Sequence, residues 1–96
     1  MTAACPEFGF EIAITLAPHT DPRARRTLAA TFRTLAESHG LTAEGGGERE
    51  WRYVVRREGG QAIDADRELL ARWARARSEV AHVDVGPIID LKEVDV

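Results

Sequence analysis

Hydrophobic and polar residues alternate strictly at the start of the chain. Phe8, Phe10, Ile12, Ile14 and Leu16 fall on one side, and Glu11, Ala13 and Thr15 on the other. A period of two is the strand period, so this segment predicts a strand with one face on a core. Pro18 ends it. Asp21-Pro22 then predicts a helix N-cap followed by proline at the first helical position. Leu28, Phe32, Leu35 and Ala36, extended by Ala24, recur at helical spacing. Gly40 supplies the C-terminal stop, with His39 in the last turn where a cation suits the helix dipole.

Leu41 to Gly47 is short and closes on three glycines. Trp51, Tyr53 and Val55 alternate against Arg52, Val54 and Arg56, a second strong strand. Its closeness to Leu41 predicts a hairpin turning through Gly45-Gly46-Gly47. After Gly59-Gly60, Asp64 or Asp66 caps a second helix with the core stripe Leu69, Leu70, Trp73 and Ala76. Ala81, Val83 and Val85 alternate with His82 and Asp84 in the last strand. Gly86-Pro87 interrupts it, and proline is tolerated on an edge strand. Ile88, Ile89 and Leu91 are too apolar for a loose tail; they either pair along a sheet edge or dock on a partner or second subunit.

The order is therefore strand, helix, strand, strand, helix, strand. Right-handed crossovers place both helices on one face. The expectation is an α+β chain: a ferredoxin-like βαββαβ sandwich whose four-stranded antiparallel sheet, order 4-1-3-2, is covered on one face by two helices. Residues 1–96 are expected to form a single domain with a core spanning about residues 7–91, a short flexible N-terminus and an acidic C-terminal end.

Composition narrows the class. Hydrophobic residues at 44% and charged residues at 30% fit a soluble globule and exclude a disordered tail. No apolar run approaches the roughly 20 residues of a membrane span, and no leader-like segment opens the chain. Cys5 is the single cysteine, so an internal disulfide and a thiolate metal cage are both excluded, and a free thiol in the cytoplasm is expected. The net charge of −3 argues against wholesale coating of nucleic acid. The placement of charge matters more. Lys92 is the one lysine, and eight arginines against four acids lie between residues 23 and 57, ahead of an acidic end.

Candidate chemistry is sparse. His19, His39 and His82 have no metal-like spacing to each other or to carboxylates. Asp64 and Asp66 are explained by helix capping before acid/base work, and Ser38 and Ser78 lack a base in the local sequence. The glycine run leads into a strand, not into the helix start that a phosphate loop requires. An RNA-reading sheet would expose stacked aromatics, whereas Phe8, Phe10, Trp51 and Tyr53 fall on the helix-covered side. The open face instead carries Glu11, Thr15, Arg52, Val54, Arg56, His82 and Asp84. An acylphosphatase-like site needs an asparagine, and the chain contains none. No catalytic residues, cofactor or metal site is expected. What stands out is Arg23, Arg26 and Arg33 on the first helix with Arg67, Arg72 and Arg75 on the second, six arginines expected in one outer layer interrupted by Glu37 and Glu68. Guanidinium groups suit phosphate oxygens.

Several strings read together as a family signature: Cys5-Pro6-Glu7-Phe8-Gly9-Phe10, Gly40-Leu41 before the glycine run and Trp51, Asp66-Arg67, Trp73, and Val80 through Asp90 with its Gly86-Pro87 break. The chain resembles the YggL family of small bacterial proteins over roughly residues 5–90. That resemblance implies association with the large ribosomal subunit and no known catalysis. Some members carry a basic arm before the first strand, where only Met1 to Ala4 precede Cys5 here. Others end with an aromatic pair, where Leu91-Lys92-Glu93-Val94 stands here. An acidic chain lacking that arm is expected to bind ribosomes weakly or not at all, since counterion release scales with cationic contacts. The leading expectation is an accessory protein contacting rRNA phosphates through the six arginines, with no membrane partner. Its rival is a homo-oligomeric protein-interaction module built on Ile88-Ile89-Leu91.

Overall fold

The structure, a computed structural model, describes residues 7–94. Its elements are β1 (Phe8–Leu16), α1 (Pro22–Ser38), β2 (Leu41–Gly46), β3 (Glu50–Arg57), α2 (Asp64–Arg75), β4 (Val80–Val85), β5 (Ile89–Asp90) and the single turn α3 (Leu91–Val94). The sheet is antiparallel throughout. Its long strands follow the path β2-β3-β1-β4, and β5 pairs with β1 off that path. Read from the other edge, that path is β4-β1-β3-β2; the expected four-stranded sheet is corrected in its strand count, since β5 makes a fifth strand and gives β1 a third partner.

The physical reason lies at Gly86-Pro87-Ile88. β4 pairs Val85 with Ile12, and β5 pairs Ile89 with Gly9, so one extra residue sits on the later strand between the two ladders. Pro87 offers no N–H to a ladder, and the chain bulges around it before pairing again. Of the two readings of the apolar tail, the described residues show the pairing along a sheet edge. Ile89 pairs on the sheet edge, Ile88 packs on the core and Leu91 is buried. Leu91 lies over Gly9, where a Cβ would meet its Cδ1 at 2.6 Å and the Val55 carbonyl oxygen at 2.3 Å. Glycine is what lets the C-terminal turn close on β1.

One side of the sheet is buried. Phe10, Ile12, Ile14 and Leu16 of β1 join Trp51, Tyr53 and Val55 of β3, and both helices pack on them. Phe32 of α1 touches Tyr53 at 4.9 Å and Trp73 of α2 at 5.6 Å between ring centroids, so the helices lie side by side on the same face. The hairpin departs from expectation in its turn. Gly45 and Gly46 belong to β2, paired with Tyr53 and Arg52, and the chain reverses beyond them. A Cβ on Gly45 would lie 2.0 Å from the Arg52 carbonyl oxygen, so the close approach of the two strands requires glycine there.

β4 also differs from its expected alternation. The register shifts between Thr15 and Leu16, whose partners are His82 and Val80, leaving Ala81 as an extra, exposed residue. Val80 takes the inward position that simple alternation assigns to Ala81. On α2 the buried residues are Asp66, Leu70, Ala71 and Ala74. Leu69 and Trp73 are half-buried and Ala76 is an exposed C-cap, so the stripe is rotated from the one the apolar residues alone suggest.

Candidate functional site

α1 begins on a good cap. The Asp21 carboxylate accepts from the Ala24 N–H at 2.8 Å, and Pro22 occupies the first turn. Arg23 and Arg26 then project into solvent, with no hydrogen bond or ion pair to a described residue. Arg25 is half-buried and donates through Nη1 to the Thr20 carbonyl at 3.3 Å. Arg25 and Arg26 line a hollow of about 210 Å³ with Pro22, Ala29, Gly47, Glu48 and Trp51. Arg33, a turn or two further along, is exposed and donates through Nη2 to the Gly45 carbonyl at 3.2 Å. Arg25, Arg26 and Arg33 therefore flank the β2–β3 hairpin.

α2 divides its arginines. Arg72 and Arg75 are exposed and make no hydrogen bond or ion pair to a described residue; they border a shallow hollow with Glu68. Arg75 also borders Val80 to Val83 of β4. Arg67 is a correction. The sequence reading places it outward, opposite Leu69 and Trp73. In the structure it is half-buried, donating through Nε to the Gly86 carbonyl at 2.7 Å and through Nη1 to Asp64 at 3.0 Å. Arg67 precedes Leu70 by three residues and Ala71 by four, so it lies along the true buried stripe, where it ties α2 to the bulge of the last strand. The expected layer of six thus loses Arg67: Arg26 and Arg33 border the hairpin, Arg75 borders β4, and Arg23 and Arg72 stand exposed on the helices.

Three features were missed by a pattern that follows apolar residues alone. Asp66 is buried, and its carboxylate takes a bidentate ion pair from Arg57 while accepting from the Ile63 N–H at 3.0 Å. Arg57 also donates to the His39 carbonyl at 3.0 Å, so one guanidinium ties the end of α1 to β3 and to the first turn of α2. Arg25 sits on the α1 stripe, three residues before Leu28. Arg77 places its guanidinium 5.4 Å from the centroid of Trp73. The spacing of four between Trp73 and Arg77 was the available signal for that pair.

The remaining candidates are accounted for locally. Ser38 donates to the Leu35 carbonyl at 2.7 Å and Ser78 to Glu79 at 3.4 Å. His19, His39 and His82 are exposed, and no group of three or more His, Cys, Asp or Glu among the described residues could hold a metal. Trp51 is buried and donates its indole N–H to the Glu48 carbonyl at 3.1 Å, so it offers no stacking face. Cys5 lies outside the described residues. No helix among the described residues is long and apolar enough to cross a membrane. Chemically, the described surface offers exposed guanidinium groups: five-donor forks suited to phosphate and carboxylate oxygens.

Neither a curated protein nor a solved structure matches the chain. A family model does: residues 4–92 match the one described as YggL 50S ribosome-binding protein, and the chain belongs to that family.

Proposed function

We propose that this protein is a non-enzymatic, cytoplasmic accessory protein of the large ribosomal subunit, seated on rRNA phosphates by the exposed arginines of its helix layer. The family description speaks of binding to the 50S subunit, which supports the choice of partner. The observation that carries the mode of contact is that Arg23, Arg26, Arg72 and Arg75 stand exposed on adjacent helices with no carboxylate partner among the described residues. A guanidinium already paired with a carboxylate must break that pair to take a phosphate; these four need not. Arg33 joins them by releasing one bond to Gly45, whereas Arg67 belongs to the scaffold. We read the architecture as a ferredoxin-like sandwich whose last strand is split by the Gly86–Ile88 bulge.

Phosphate contacts position a protein without reading sequence, so the binding should be strongly salt-dependent. Co-sedimentation with purified large subunits between about 50 and 200 mM salt tests this. Retention at the low end with a steep decline is the expected result. Absence of binding at the lowest salt refutes the reading, and binding that ignores salt refutes the phosphate contacts.

A further inference from the structure

The two edges of the sheet are finished differently. At the β2 edge, Arg33 occupies the Gly45 carbonyl, Glu44 stands exposed beside it, and two glycines end the strand. At the other edge, β4 pairs with β1 and no described strand lies beyond it. Val80–Val85 carries neither lysine nor proline, the residues that commonly blunt an exposed edge.

The direction of the free backbone groups follows from one bond. The Gly86 N–H donates to the Glu11 carbonyl at 2.8 Å. Residues of an antiparallel ladder alternate between facing their partner strand and facing away. Asp84 and His82 therefore turn their backbone groups toward β1, and Val83 and Val85 turn theirs to the open edge. Side chains add a second pattern. His82 and Asp84 are exposed on the open face and make no hydrogen bond or ion pair to a described residue, while Val83 is buried on the helix side.

We propose that β4 pairs antiparallel with β4 of a second copy of this chain, about a two-fold axis through Val83. In that register Val83 faces its own counterpart and Ala81 faces Val85, joining edge N–H and carbonyl groups across the axis. His82 of each copy faces Asp84 of the other, twice by symmetry, and an imidazole N–H donates to the opposing carboxylate. Neighbouring registers lack this match. Centring on His82 sets the two imidazoles against each other, and centring on Asp84 sets the two carboxylates together. The bulge at Ala81 and the break at Gly86-Pro87 confine the pairing to residues 81–85, which makes a short, reversible interface.

The test is sedimentation velocity over a concentration series with reductant present to keep Cys5 out of disulfides, combined with amide exchange. The expected result is a concentration-dependent shift from the 10.6 kDa monomer toward a dimer, with slowed exchange at Val83 and Val85. His82→Asp should raise the dimer dissociation constant about tenfold, and the exchanged pair His82→Asp with Asp84→His should restore it to within about threefold. Circular dichroism of these exposed-site variants checks that the fold persists. A strict monomer up to millimolar concentration overturns the proposal, as does a dimer indifferent to His82→Asp or one the exchange fails to rescue. No ribosome enters the assay, so its outcome is separate from that of the ribosome reading.

Discussion

The two ends of α2 use arginine in opposite ways. At its start, Arg67 and the neighbouring Arg57 are consumed by structure: one holds the Gly86 bulge and Asp64, the other holds Asp66 and the end of α1. Toward its end, Arg72 and Arg75 hold nothing among the described residues. The residue type is the same and the helix is continuous. What differs is whether the position lies on the buried stripe, where a partner from another strand is within reach, or beyond it. A guanidinium count on a helix is therefore no measure of binding capacity; the number left without an internal partner is.

The largest effect that would break this contrast is at the start of the helix. Asp66→Ala strands the Arg57 guanidinium and the Ile63 N–H, and should cost about 3 kcal/mol in urea denaturation, at the low end for a buried pair because Arg57 is partly exposed. The folded fraction should bind ribosomal subunits as the parent does. Next comes the other end: Arg26→Glu with Arg72→Glu and Arg75→Glu should weaken co-sedimentation about a hundredfold at low salt and flatten the salt slope by roughly one for each phosphate no longer neutralised. The melting temperature should scarcely change. If these variants unfold the protein while Asp66→Ala abolishes binding, the division is inverted.

Two smaller changes sharpen it. Arg67→Ala should cost about 1–2 kcal/mol in stability by leaving the Gly86 carbonyl unbonded, and should leave the salt slope of binding unaltered. A reduced slope would return Arg67 to the contact surface. Asp21→Ala removes the cap of α1 and should cost about 1 kcal/mol, measurable as a shifted denaturation midpoint with binding unchanged.

Legibility in sequence followed the range of the forces involved. β1, α1 and β3 announce themselves through long stretches of one period, because each buries a face whose spacing is local. The side-by-side helices followed from crossover handedness. The start of α2 was misread because Asp66 looks solvated to any hydrophobic pattern, and its burial is stabilised by Arg57, nine residues earlier on another element. Once Asp66 is placed inward, the stripe rotates and Arg67 rotates with it. The slip at Ala81 was invisible for a related reason: a bulge is a relation between two strands, and neither strand alone encodes it. In the candidate site, Arg23, Arg26, Arg72 and Arg75 were legible as exposed positions, while the bond from Arg33 to Gly45 joins segments whose approach only the folded chain reveals.

The resumption of pairing after Pro87 brings the first and last described segments together, with the Leu91 N–H donating to the Glu7 carbonyl at 2.8 Å. Such adjacency suits circular permutation. A permutant closed by a short linker across Glu7 and Lys92, and opened at the exposed Glu48–Arg49 turn, would keep every strand ladder intact. It would move fluorophores or affinity handles from the β5 end of the sheet to the hairpin beside Arg26, giving a reporter for whichever surface that hairpin approaches.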